Sequence, residues 1–170
     1  MNAIRTVADL MAVAARTAPK AAGQDYVVIK VIEGDECQRL AEEMIKYGEA
    51  TGKKNFDRDG RNVAASAAVI LIGIKDASSV GLNCGACGFE TCAERTAAER
   101  AEFVGPQCAF RLLDMGIALG SAAKMAGMLN VDNRIMYRAG VVARKMCLIN
   151  ADFVMGIPLS ATGKSIYFDR

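Results

Sequence analysis

The sequence contains no histidine and no tryptophan, and only 6% of its 170 residues are aromatic. Without histidine there can be no Ser-His-Asp triad, no Cys-His pair, no imidazole-ligated zinc and no Rieske centre. Chemistry is left to thiolates, carboxylates, Lys, Arg, backbone groups or a bound cofactor. The scarcity of aromatic rings removes the stacking platforms that single-stranded nucleic acids use. An excess of one charge is lacking as well. The 21 basic and 19 acidic residues leave a formal net charge of +2, so neither nucleic acid nor an anionic membrane is expected as a partner.

Long apolar runs are also missing. The longest, residues 63–74, contains Ser66 and Gly73, is too short to cross a bilayer and is expected to be a buried helix end followed by a strand. The first residues are interrupted by Arg5 and Asp9 and have no apolar h-region, so no secretory signal is expected. A cytoplasmic protein is the expectation, and in that compartment six cysteines point to metal or redox chemistry rather than disulfides.

Hydrophobic residues make up 52% of the chain, enough for a folded core in one domain spanning 1–170. Residues 3–16 place Ile4, Val7, Leu10, Met11 and Ala14 on one helical face, and Pro19 ends that helix. Residues 26–32 form a strand. An amphipathic helix begins at Asp35, with Leu40, Ala41, Met44 and Ile45 facing inward, and stops near Gly52. Residues 51–62, charged and rich in turn formers, are expected to be a loop. A second strand covers 69–74, and residues 110–129 form a helix that is apolar almost all round. Its Gly116, Gly120 and Gly127 permit close approach, which places it at the centre of the fold or at a subunit interface. A helix over 133–146, a strand over 152–157 and a tail complete the chain. The alternation of strands and helices predicts a layered α/β arrangement.

The chemistry is concentrated in residues 81–108. Cys84, Cys87 and Cys92 follow C-x2-C-x4-C spacing, and Cys108 comes fifteen residues later. Three close thiolates on a glycine-rich loop plus one distant thiolate suit a cubane cluster with four corners. Gly81, Gly85 and Gly88 allow backbone turns that side chains would block and let amides point at an anion. Thr91 and Glu94 fit a capping box, which predicts a helix that starts at Cys92. Reach then limits it: the chain must return to Cys108, so that helix is expected to end near residues 100–102, with Gly105 and Pro106 in the return. Structural zinc on four cysteines is the alternative, although such sites usually come as two short-spaced pairs and only Cys84/Cys87 forms one here. Cys37 and Cys147 are expected to be ordinary core residues.

These cysteines and their flanks resemble the uncharacterised ferredoxin-domain proteins of bacteria and archaea. The stretch CGACGFETC is similar to the [4Fe-4S] motif of corrinoid iron–sulfur proteins and related electron-transfer subunits. The remainder resembles the flavin-dependent nitroreductases, through residues 15–31 (ARTAPKAAGQDYVVIKV), 114–128 (DMGIALGSAAKMAGM) and 151–165 (ADFVMGIPLSATGKS). This resemblance implies an α+β sandwich, a central sheet with helices on both faces and an inserted iron–sulfur loop, assembled as a homodimer with a flavin pocket (FMN) at the interface. The basic Arg-x-Ser-x-Arg segment usual in that family is absent, and Lys20 and Gly23 stand where Ser and Asn are usual. Arg16, Lys20 and Lys164 are the candidates to replace its charge at the flavin phosphate, unless they are ordinary surface cations. The expectation is a redox protein exchanging electrons with a partner protein or a small-molecule acceptor. The alternative is a non-catalytic binding or sensing module with a structural four-cysteine metal site.

Overall fold

The apolar pattern resolves into one antiparallel sheet with a helical layer on each face. The computed structural model describes residues 3–168. Its elements are α1 (Ala3–Thr17), β1 (Val27–Glu33), α2 (Asp35–Thr51), α3 (Phe56–Ala64), β2 (Ala68–Ile74), β3 (Ala98–Glu99), β4 (Val104–Gly105), α4 (Ala109–Met128), β5 (Asp132–Asn133), α5 (Tyr137–Lys145) and β6 (Phe153–Ser160). The main sheet runs in the order β1-β2-β6-β5, and β3 and β4 pair separately. Every pairing is antiparallel. The fold is therefore of the α+β kind that the resemblance implies, rather than the layered α/β arrangement predicted by the alternation of strands and helices.

Burial explains the layers. β2 reads AVILIGI, and all seven residues are buried, because helices cover both faces. On one face Val7, Met11, Ala118 and Ala122 of α1 and α4 pack with Ile70, Ile72 and Ile157. On the other, Leu40 and Met44 of α2, Phe56 of α3 and Val142 of α5 pack with Val69, Leu71 and Val154. α5 lies close to β6: a Cβ on Gly140 would stand 2.0 Å from the Val154 carbonyl oxygen.

Four local expectations need correction. Residues 51–62 are not a loop. After Gly52 closes α2 in the left-handed conformation (φ 69°), α3 begins at Phe56. Phe56, Asp59, Gly60 and Val63 form its buried face. Asp59 is accommodated there by Arg58 at 2.8 Å and Arg138 at 2.9 Å, and Gly60 lets the backbone of α2 approach. In α1 the buried face is Val7, Ala8, Met11 and Ala15, while Leu10 points outward. α5 begins at Tyr137, because Asp132 and Asn133 are drawn into the sheet opposite Ser160 and Leu159. Finally, α4 is only half covered. Arg111, Asp114, Met115, Ala118, Leu119 and Ala122 face inward, whereas Leu113, Ile117 and Met128 are exposed and Gly116, Gly120 and Gly127 have no neighbour on their open side.

The α5–β6 contact yields a direct test. Gly140→Ala has no space for its methyl group and is expected to destabilise the fold by about 3 kcal/mol through overpacking. Gly163→Ala, where nothing lies within 4 Å of the added methyl group, serves as the control. Urea denaturation of both variants, read as a change in midpoint, checks the difference.

Candidate metal centre

The long loop between β2 and α4 leaves and returns at the same end of the sheet. At its departure Asp152, buried beside β6, accepts hydrogen bonds from Lys75 Nζ (2.8 Å) and the Asp76 amide (2.7 Å). At its return Arg111, in the first turn of α4, donates to the carbonyl oxygens of Ser78 (2.9 Å) and Ala21 (3.0 Å) and to Asp114 (3.1 Å). It also bonds Gln24 and lies over the Tyr26 ring. Start and finish are thus held side by side.

Between those anchors Cys84, Cys87, Cys92 and Cys108 line a single cleft. Cys84 is exposed, Cys87 and Cys92 are half-buried, and Cys108 is buried. Gly81, Gly85 and Gly88 all take positive φ (94°, 70° and 90°), the turns only glycine makes without strain. Asn83, also left-handed at φ 48°, closes the loop in both directions. Its amide donates to Cys92 Sγ at 3.4 Å, and its Oδ1 accepts from the Cys92 amide at 2.8 Å. Burial pushes the Cys108 thiol up, but amides of Val80, Arg111 and Phe110 and the charge of Arg95 outweigh it and hold it below the ordinary value. Among the described residues, no three Cys, Asp or Glu side chains form a group of the kind that holds a single metal ion.

The helix expected after Cys92 is absent. Thr91 makes no side-chain cap, and Cys92–Glu94 is one 3-10 turn. The only apolar residues along 93–101 are four alanines, all exposed, and Arg95 turns away to donate to Ser79 Oγ, the Pro106 carbonyl and the Ala77 carbonyl. The chain instead forms the short β3–β4 hairpin, with Gly105 and Pro106 in the return as expected. Glu102 in its turn accepts from Tyr47, Tyr137 and Lys53. Burial pushes the Tyr137 phenol up, the Glu102 charge adds to it, and the result is about 12. Arg144 braces the hairpin through two 2.7 Å contacts to Glu99.

The remaining sequence candidates are dispersed. Cys37 is core as expected, with burial raising its thiol to about 11. Cys147 is not core: it is exposed, at φ 55°, just past the end of α5. Arg16 and Lys20 meet at Asp25, at 2.6 and 3.7 Å. Lys20 also donates to the carbonyls of Arg16 and Ala18. Lys164 is exposed beyond the end of β6. That end of the sheet carries the Glu33↔Ala68↔Leu159 row, whereas Arg16 binds the Val27 carbonyl on the opposite row. Six residues of strand, roughly 20 Å, separate the two rows within one protomer. Asn83 and Arg95 went unnoticed in the sequence. A left-handed Asn just before a cysteine motif, and an arginine three residues after it, are signals of the right kind.

Comparison with known proteins places this geometry in context. An uncharacterized protein of Archaeoglobus fulgidus is 52% identical over 169 residues, covering 98% of this chain and 91% of its own. Residues 104–170 match the family model described as "Uncharacterized protein containing a ferredoxin domain (DUF2148)", a span that includes Cys108 but not the other three clustered cysteines. Among solved structures, the Lactococcus lactis nitroreductase CinD in complex with nicotinic acid aligns with TM-score 0.60 and 13% identity, over 99% of this chain and 86% of its own. A putative nitroreductase from Desulfovibrio desulfuricans in complex with FMN gives 0.59 and 14%, over 97% and 78%. The nitroreductase-like family protein of Bacillus cereus gives 0.61 and 9%, over 95% and 76%. At these identities the likeness concerns the fold, and the fold is that of the nitroreductases. At 52% identity over nearly its whole length, the chain belongs to the same family as the uncharacterized protein of Archaeoglobus fulgidus, and its residues 104–170 match the ferredoxin-domain family model.

Proposed function

We propose that this protein carries a [4Fe-4S] cluster on Cys84, Cys87, Cys92 and Cys108 and transfers electrons in the cytoplasm to or from a redox partner or a small-molecule acceptor. One observation carries the proposal: four cysteines from both ends of a long loop line one cleft. The donor set suits such a cluster. All four groups are thiols, and the Asn83 amide is directed at the Cys92 sulfur. Zinc on four cysteines usually draws them from two short-spaced pairs, and only Cys84/Cys87 forms such a pair here. When bound, the cluster supplies one-electron chemistry. The protein's own residues hold it, direct hydrogen bonds at its sulfur ligands and shield its inner side through buried Cys108. No residue beside the cleft stands out as a general acid or base, in keeping with electron transfer rather than proton chemistry.

Anaerobically purified protein is expected to be brown, with about four iron and about four acid-labile sulfides per chain. Replacing Cys84, Cys87, Cys92 or Cys108 with Ala removes or cripples the cluster, and Cys37→Ala leaves it intact. One zinc per chain without labile sulfide would instead identify a structural metal site in a binding or sensing module.

A homodimer forms the second part of the proposal. Leu113, Ile117 and Met128 on α4, with Leu10 and Val13 on α1, expose apolar area that one chain does not cover. The unobstructed sides of Gly116 and Gly120 allow a second copy to approach closely, and an obligate interface of this kind buries more than about 2,000 Å². Light scattering should report a dimer for the wild type, and Ile117→Glu should shift it toward the 18.0 kDa monomer. A wild-type monomer at low micromolar concentration rules the assembly out.

Flavin is a second cofactor proposal, supported by the fold shared with FMN-bound nitroreductases. Because Lys164 lies far from Arg16 and Lys20 within one protomer, a phosphate site using all three needs both copies of the dimer. FMN added to the protein should lose fluorescence, and Lys164→Ala should weaken binding at least tenfold, about 1.4 kcal/mol. Undiminished fluorescence at about a hundred micromolar, a concentration that would reveal even weak binding, leaves the cluster as the sole redox centre.

A further inference from the structure

Among the described residues, Arg95 is a half-buried cation without an anionic partner. Its three contacts, to Ser79 Oγ at 2.8 Å, the Pro106 carbonyl at 2.9 Å and the Ala77 carbonyl at 3.1 Å, are all to neutral oxygens. Among the described residues it makes no ion pair. The comparison with the other arginines of this region matters. Arg111 has Asp114 at 3.1 Å, and Arg144 has Glu99 at 2.7 Å. Glu90 and Glu94, on the same loop as Arg95, point into solvent. A guanidinium partly withdrawn from water without a countercharge carries a desolvation cost that an anion close by would offset. The segments it fixes surround the cleft. Pro106 lies two residues before Cys108, and residues 77–79 lead directly to Val80, which lines the cleft.

We infer that Arg95 is the countercharge of the anionic cluster and sets how readily that cluster accepts an electron. The inference rests on the cluster proposed above. Reduction adds one electron, supplied by a reduced partner protein, and neither breaks a bond nor takes up a proton. It makes the group more negative. A fixed positive charge at the rim favours the more negative state, and does so strongly where water is partly excluded. Removing the charge therefore lowers the reduction potential. The three hydrogen bonds serve to hold the guanidinium there, and its charge provides the effect.

The test uses anaerobically prepared wild type, Arg95→Gln and Arg95→Lys, each assayed for iron and labile sulfide and then titrated with dithionite in the presence of mediators. Arg95→Gln is expected to keep the cluster and to lower the reduction equilibrium constant at least tenfold, about 59 mV for one electron. Arg95→Lys keeps the charge and is expected to stay near the wild-type potential. An unchanged potential in cluster-loaded Arg95→Gln overturns the inference while leaving the cluster proposal standing. If Arg95→Gln cannot retain the cluster, Arg95→Lys decides: loading at the wild-type potential supports the countercharge. Loss of the cluster there too, or a fall in potential despite the retained charge, shows that Arg95 is only a clasp. A wild-type protein without iron and labile sulfide fails at the earlier step and removes the cluster proposal itself.

Discussion

Arg111 is 1% exposed, and its guanidinium joins three stretches of chain far apart in sequence. It reaches the turn before β1 through Ala21 and Gln24, the loop leaving β2 through Ser78, and its own helix through Asp114. Burying such a charge would cost several kcal/mol without compensation. Here a carboxylate, two carbonyls, an amide oxygen and the face of Tyr26 surround it. Asp114 accepts the Ala21 amide at 2.8 Å as well, so the acid is tied to the same turn. The first turn of α4 is thereby fixed against the sheet, and the position of Cys108 follows from that turn.

Two arginines divide the work around the cleft. Arg111 holds its base and is neutralised within the fold, so it contributes register and little field. Arg95 holds the rim, bonded to carbonyls and a hydroxyl only, so its charge is left to act on whatever lies beside it. Asn83 gives the loop a third closure that requires no charge, linking the residue before Cys84 to Cys92 through both backbone amides. The β3–β4 hairpin, braced by Glu99 and Glu102, keeps the returning chain beside the sheet.

Much of this was legible in the sequence where the pattern and the burial coincide. β1, β2 and α2 lie within a residue or two of expectation, because their apolar positions face the core. The cleft was legible too, since spacing limits where three thiolates can go. α3 was missed because two of its four buried positions are Asp59 and Gly60, which read as turn formers. Only tertiary partners, Arg138 and the backbone of α2, make them interior residues. The helix after Cys92 was overcalled for the opposite reason: its local capping signals were good, but the apolar positions that follow are alanines only, too small to give it much surface to pack on. The outward shift of Leu10 in α1 and the half-covered α4 reflect a further limit. Periodicity identifies an apolar face without specifying whether the same chain covers it.

The two core layers draw almost nothing from residues 78–107, where only Phe103 packs against them, from the edge. Small zinc domains are different, because there the metal supplies the folding energy itself. Here the sheet and its helices are held by their own apolar contacts and by the buried Arg111 network. Substitutions between Gly81 and Glu94 can therefore reshape the lining of the cleft while the scaffold beneath it stays intact.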